Sequence, residues 1–399
     1  MSENKSKIAV KYSFQELQKE TGPVFIFGAG VVGEALLYAC REKKLEVKAF
    51  CDNNRNKTSA PFAGLEVFYA REMKVRFPDA VFLVAVIDIQ DIVEQLAGYG
   101  YEHIYAASDI LKSLDLFAHH YSKPAEFVNY VVTTCILSHE SYVYPDRIFF
   151  HSIDLVITER CSLKCRDCSN LMQYYRHPAD LASSGIFRSV DLVCSSVDSI
   201  NEFRIIGGEP FMNKDWARII AYVNAKEKVK KTVIFTNGTI CPDFSELDSM
   251  DCTKILFIIT DYGSLSRNID KMERELKKQH INYLRSPAGN WTACSDIGKH
   301  SRSPEELQEC FKNCCAKNLF TIMHGKLYRC PFAANADALH AVPPSPSDYV
   351  ILDEESGVRE KIKDFVYSTQ YLSTCDYCNG RRLDDPVIPA AIQLKSPRG

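Results

Sequence analysis

The feature that most constrains this chain is Cys161-Ser-Leu-Lys-Cys165-Arg-Asp-Cys168, three thiols at C-x3-C-x2-C spacing on one short loop. The loop follows the apolar run Ile153 to Ile157, which reads as a strand. Three thiolates on such a loop can hold three irons of a cubane and leave the fourth without a protein ligand. Ferredoxin-type runs instead fill every iron with cysteine. An open position distinguishes a catalytic metal site from a closed structural one. The spacing alone leaves two other readings open, a structural zinc site and scattered free thiols.

The chain has 16 cysteines in 399 residues, which makes the redox compartment matter. Met1 to Lys7 is polar and lacks the apolar stretch of a secretory signal. No run of about 18 or more apolar residues suggests a membrane span. The expectation is a cytoplasmic protein with no membrane partner. There disulfides are rare and clustered cysteines bind metal or do redox work. Cys40, Cys51, Cys135, Cys194, Cys241 and Cys252 are scattered and read as small core residues. The other ten fall in groups at 161–168, 294–330 and 375–378. A formal net charge of −3 gives no field that would favour nucleic acid.

Alternating strand and helix signals imply a parallel α/β architecture with four regions. Residues 1–112 read as a Rossmann-like domain, with Ser13 and Glu16 as a capping box on a first helix. Its strands are expected at Pro23–Gly28, Val47–Cys51, Ala80–Ile87 and His103–Ala106, with helices at Val31–Lys43 and Asp91–Gly98. Residues 113–150 read as a linker containing a bridging helix, Pro124 to Ile136. Residues 151–290 are again β/α, and their polar motifs sit just after strands: Gly207-Gly208-Glu209-Pro210, Thr236-Asn237-Gly238-Thr239 and Asp261-Tyr262-Gly263. Ligands in parallel α/β folds bind at the carboxyl ends of strands, so these motifs point to one shared site. Residues 291–399 are rich in cysteine and less periodic.

The cysteine loop after the first strand of a β/α region, together with the downstream Gly207-Gly208-Glu209-Pro210, resembles the radical S-adenosylmethionine (SAM) superfamily. The resemblance implies a partial (β/α)6 barrel and a [4Fe–4S] cluster on Cys161, Cys165 and Cys168. Its open iron chelates SAM, and electron transfer cleaves SAM to a 5′-deoxyadenosyl radical that abstracts a substrate hydrogen. It further implies that Gly207, Gly208 and Glu209 contact the SAM methionine and that Thr236 and Asn237 lie near cofactor or substrate. This chain departs from the family at Asp167, where an aromatic residue often packs near adenine.

Cys315 is followed after nine residues by Gly325 and after four more by Cys330, and Cys375-Asp-Tyr-Cys378 comes later. This C-x9-G-x4-C…C-x2-C pattern resembles the Twitch/SPASM auxiliary-cluster domains. No cysteine follows Cys378, so the shorter Twitch form with one extra [4Fe–4S] cluster fits better. Cys315 is the favoured first ligand, with Cys314 or Cys310 as alternatives. Four paired cysteines also permit a structural zinc site.

Gly28-Ala-Gly30-Val-Val-Gly33 follows a strand and opens a helix, and Asp52 ends the next strand. That is a dinucleotide-binding context, with the acid available for a ribose hydroxyl. The region resembles the small Rossmann-like domains of sugar N-acyltransferases and other polysaccharide-pathway enzymes, which implies a nucleotide or nucleotide-sugar ligand. The competing reading is a domain kept for packing or dimerisation.

These readings combine into one expectation: a radical SAM enzyme acting on a small polar metabolite, with a nucleotide-linked or amino sugar as the leading substrate class. The family implies a flavodoxin or ferredoxin reductant. A ribosomal-peptide maturase and a non-enzymatic iron–sulfur carrier are the alternatives. The strand–glycine turn–helix start argues against the first, and the open-site spacing against the second.

Overall fold

A computed structural model describes residues 8, 10–144, 146–353, 357–382 and 385–397. The reading of Met1 to Lys7 lies outside these residues. The chain divides into two compact units, Met1–Phe149 and Phe150–Gly399.

The first unit is built on β1 (Val24–Phe27), β2 (Ala49–Asp52), β3 (Val67–Tyr69), β4 (Val81–Val84) and β5 (Ile104–Ala106). Their order is β3-β2-β1-β4-β5 and every pair is parallel. β1, β2 and β4 are buried on both faces, which is why they read as unbroken apolar runs. Helices Val31–Glu42 and Ile89–Gly98 lie where periodicity expects them. The capping box does not form. The Ser13 side chain makes no cap bond, and the N–H of Phe14 is taken by Asp109 Oδ2 at 3.0 Å.

The stretch read as a linker belongs to this unit. Its helix runs Ala125–Val143, longer than expected, and Val128, Val132 and Cys135 are fully buried in the core beside Ile26 and Leu36. Residues 128, 132 and 135 share one helix face, so burial of that stripe outweighs the turn-forming residues that follow.

The second unit carries β6 (Phe149–Val156), β7 (Ser199–Ile206), β8 (Val229–Thr236), β9 (Ile255–Asp261), β10 (Asn282–Pro287), β11 (Trp291–Thr292), β12 (Phe320–Met323), β13 (Lys326–Tyr328), β14 (Tyr349–Ile351) and β15 (Val387–Ile388). An eight-stranded sheet has the order β10-β9-β8-β7-β6-β12-β13-β14. β7 to β10 pair in parallel, the pattern of a partial barrel. β12 adds to β6 in parallel with Thr321 opposite Asp154, and β13 and β14 follow antiparallel. The cysteine-rich segment expected as a separate domain is thus continuous with the barrel sheet. β12 is buried at all four residues, and β6 offers it a buried neighbour. β11 and β15 form their own antiparallel pair.

The β12–β13 connection explains the glycine of the C-x9-G-x4-C pattern. Met323 faces Lys326, and the two loop residues His324 and Gly325 both have positive φ, 48° and 73°. That is a two-residue hairpin turn of the kind that suits strand twist. Among the described residues no helix is long and apolar enough to cross a membrane.

Candidate active site and metal centres

The cysteine loop leaves the end of β6 and is pinned from two sides. The GGEP turn after β7 lies against its base: the N–H of Gly208 donates to Thr158 O at 3.0 Å and that of Glu209 to Arg160 O at 2.8 Å. A Cβ on Gly208 would stand 2.3 Å from Arg160 O and 2.6 Å from Cys161 Cβ. Glycine is therefore required here by the approach of two chain segments, independently of any ligand. Gly207 packs equally closely on Thr158.

Glu209 is fully buried. Its carboxylate accepts from Thr236 Oγ1 at 2.9 Å, from the N–H of Asn237 at 2.8 Å and from the N–H of Phe211 at 3.4 Å. Burial raises its pKa to about 7 against the pull of those bonds. The acid thus ties the end of β8 to the turn after β7. Asn237 reaches on to the loop: its Nδ2 donates to Ser162 Oγ at 3.1 Å and stands 3.8 Å from Cys161 Sγ. Gly207, Gly208, Glu209, Thr236 and Asn237 therefore converge on Cys161.

Leu163, Cys165 and Ala391 form a buried cluster against which Cys161, Cys168, Tyr262 and Trp291 pack. Burial pushes all three thiols up, Cys168 to about 11. Such thiols stay protonated unless a metal displaces the proton. Tyr262 lies against the loop, whereas Tyr174 packs with Leu171, Cys330 and Cys378. Tyr175 donates to Asn335 Oδ1 at 2.9 Å. Asp167 holds Arg166 Nε at 2.7 Å. Among the described residues no three cysteine, histidine or acidic side chains are close enough to hold a single metal ion. A cubane binds each thiolate at a different iron and so asks for wider spacing.

A second cavity, with about 370 Å³ of empty space, is lined by Cys310, Cys314, Cys330, Cys375 and Cys378, with Phe311, Phe332 and Leu372 among its apolar walls. Cys330 follows β13 and caps the helix Pro331–Ala338. Cys375 and Cys378 share a turn whose carbonyls accept from Arg302 Nη1. Burial raises the thiols of Cys314, Cys330, Cys375 and Cys378, Cys330 to about 12. Five thiols around one cavity, with no disulfide among them, fit an iron–sulfur cluster.

Cys315 does not reach this cavity. It is exposed, and its N–H donates to Arg381 O at 2.8 Å. Cys314 ends the helix Pro304–Asn313 in extended backbone, where successive side chains point to opposite sides. Only one of the two neighbours can face inward, and it is Cys314.

In the first unit the glycine motif sits at the β1 carboxyl end as expected. Asp52, however, is engaged by the protein. Its Oδ2 accepts from the N–H of Ala29 at 2.9 Å and from Lys57 Nζ at 2.8 Å, and its Oδ1 from the N–H of Asn54 at 2.8 Å. It clasps the glycine loop, and three of its acceptor positions are taken by the protein's own donors.

A parallel partial barrel with three cysteines after its first strand, and a second group of thiols in the same unit, is the arrangement that the resemblance to radical SAM enzymes implies. Residues 154–282 match the family described as a 4Fe-4S single cluster domain. The chain is similar to the GTP 3′,8-cyclase of Clostridium acetobutylicum, 30% identical over 135 residues covering 30% of this chain and 42% of that protein. It is similar also to the mitochondrial GTP 3′,8-cyclase of Arabidopsis thaliana, 34% identical over 84 residues covering 21% of each chain. The chain thus spans less than half the length of these relatives. Among solved structures, BtrN in complex with AdoMet and 2-DOIA is 14% identical with a TM-score of 0.39, covering 61% of this chain and 100% of that one. Streptococcus suis SuiB bound to S-adenosylmethionine is 12% identical with a TM-score of 0.35, covering 73% of this chain and 84% of that one.

Cys310, an alternative to Cys315 by spacing, lines the second cavity, and Gln393, which no spacing singles out, donates from its amide to Cys165 Sγ at 3.2 Å. Cys310 is one turn before Cys314 on the same helix, a signal visible in the sequence. Gln393 lies 228 residues from its partner and has no such signal.

Proposed function

We propose that Cys161, Cys165 and Cys168 hold a [4Fe–4S] cluster and that SAM binds the iron they leave open. Bound there, the pair supplies a 5′-deoxyadenosyl radical that takes a hydrogen atom from a small polar metabolite. The single observation that carries this reading is the convergence of Glu209, Thr236 and Asn237 on Cys161, at the carboxyl ends of parallel strands where α/β enzymes place their sites. The carboxylate and its bonds fix the turn and strand end against which the loop is set. Tyr262 and Trp291 pack against the loop.

The second cavity supports a further [4Fe–4S] cluster held by Cys314, Cys330, Cys375 and Cys378, with Cys310 beside them. Four thiolates leave no open iron, which suits electron transfer better than substrate binding. The substrate class we favour is a nucleotide-linked or amino sugar, undergoing dehydrogenation, epimerisation or rearrangement. It rests on the resemblance of the first unit to sugar-pathway domains and on its parallel sheet. A purine nucleotide is the second reading, favoured by the names of the GTP 3′,8-cyclase relatives. A flavodoxin or ferredoxin would supply the electron.

The test is anaerobic reconstitution, reduction with dithionite, and measurement of iron and of 5′-deoxyadenosine formed from SAM. The expected result is about eight irons per chain, two cubanes, with SAM cleavage abolished in Cys165→Ala. Bound zinc, or clusters that neither bind nor cleave SAM, would overturn the reading. Nucleotide sugars, amino sugars and GTP compared as stimulants of 5′-deoxyadenosine release then separate the substrate classes.

A further inference from the structure

The segment 387–397 lies along the cysteine loop, far from it in sequence. β15 first pairs with β11, Val387 opposite Thr292 and Ile388 opposite Trp291. The chain then turns at Ala391, a buried residue with φ 55°, and runs antiparallel to the loop with Gln393 opposite Cys165. Three bonds fix the pairing. The N–H of Arg166 donates to Ile392 O at 2.7 Å, the N–H of Leu394 to Lys164 O at 2.7 Å, and the N–H of Lys164 to Gln393 Oε1 at 2.8 Å. A non-glycine residue in left-handed backbone persists only where its surroundings hold it. Here Ala391 is seated against Leu163 and Cys165.

The Gln393 amide has one orientation that satisfies these neighbours. Its oxygen accepts from the backbone of Lys164, so its NH₂ faces the other way. One N–H donates to Ala391 O at 2.8 Å and the other to Cys165 Sγ at 3.2 Å. The amide oxygen and both N–H donors are engaged, and one donor is directed at a cysteine sulfur.

We infer that segment 387–397 is a strap over the cluster loop, and that Gln393 is a positioning residue whose amide donates to the Cys165 thiolate and sets how readily the cluster is reduced. The inference rests on the reading of Cys165 as a cluster ligand. Hydrogen bonds to the sulfurs and solvent exposure are among the terms that set a cluster's reduction potential. A donor to a thiolate stabilises the extra negative charge of the reduced cluster, so its loss makes reduction harder. The strap also covers Cys165, which is 7% exposed, through Ala391.

Two measurements test this. In the reconstituted full chain, a redox titration followed by electron paramagnetic resonance compares wild type with Gln393→Leu and Gln393→Glu, neither of which can donate at neutral pH. The expected result is a lower potential for the cluster at 161–168 in both variants, read as a several-fold smaller reduced fraction at one applied potential. The second cluster serves as an internal control and keeps its potential. In the iron-free chain, iodoacetamide labelling of Cys165, followed by peptide mass spectrometry, compares wild type with Leu394→Pro, which lacks the N–H donated to Lys164 O. Labelling is expected to quicken several-fold, and a truncation after Pro386 should do the same if Leu394→Pro folds poorly. An unchanged potential in both Gln393 variants, or a Cys165 labelling rate unchanged when the strap is removed, would overturn the inference. A wild-type chain that builds no cubane on the loop would overturn the underlying reading instead, and its iron count reports that separately.

Discussion

Single residues decide which thiols can share a centre. Cys314 and Cys315 are chemically identical neighbours, yet one lines the second cavity and the other is exposed. A cluster bound in that cavity discriminates between them. Cys315→Ala is expected to keep the full iron content, whereas Cys378→Ala is expected to lose up to about four irons, one cubane. Cys314→Ala should lose less than Cys378→Ala if Cys310, lining the same cavity, takes its place. Iron and sulfide counts on the three variants check this. A loss of iron from Cys315→Ala as large as that from Cys378→Ala would argue against the outward placement of Cys315. Spacing to Gly325 could not separate Cys314 from Cys315, because it counts residues and not directions. Direction is set by the extended backbone that ends the helix Pro304–Asn313.

At the scale of elements, the helix Ala125–Val143 is tied to the first unit's sheet by one buried histidine. His139 Nδ1 accepts from the N–H of Ala107 at 3.0 Å and its Nε2 donates to Val86 O at 2.8 Å, so the ring is neutral with its proton on Nε2. Burial lowers its pKa from 6.5 to about 4. The unfolded chain therefore binds the proton first as pH falls. The stabilisation is complete above about pH 6.5 and is lost progressively down to about pH 4, on the order of 3 kcal/mol at roughly 1.4 kcal/mol per unit. Hydrogen exchange at the Ala107 amide, corrected for the intrinsic rate, should show protection falling through that window. In His139→Gln the loss of protection between about pH 6.5 and 4.5 should be much shallower. A wild-type slope equal to that of the variant would exclude the mechanism. The helix itself was legible in sequence from its apolar stripe. Its extension through His139 was not, because the polar residues there find partners on strand ends distant in sequence.

On the scale of the whole molecule, two groups of buried thiols lie within one compact unit, on and beside one continuous sheet. Protonated thiols around a cavity contribute little to the fold, whereas metal bound only to the native state stabilises it. Stripping iron with a chelator under reducing, anaerobic conditions is expected to lower the melting temperature. It should also reduce amide protection at 161–168 and 375–378 most. Hydrogen exchange before and after chelation checks this, and unchanged protection at both places would mean that the clusters do not hold these loops.

Sequence by itself determined the local chemistry. The spacing of Cys161, Cys165 and Cys168, the GGEP turn and the alternating apolar runs each depend on neighbours a few residues apart, and such patterns survive in one dimension. It also supplied the need for a glycine at 208 and 325, although not the reasons, which are close packing on Arg160 and a tight hairpin turn. Tertiary structure alone decided the rest: that Asp52 clasps its own glycine loop, that β12 extends the barrel sheet, and that Gln393 meets Cys165. Each of these joins segments separated by 23 to 228 residues. Their pairing follows from which buried faces and unpaired backbone groups the folded chain leaves to be satisfied, and no local pattern encodes that.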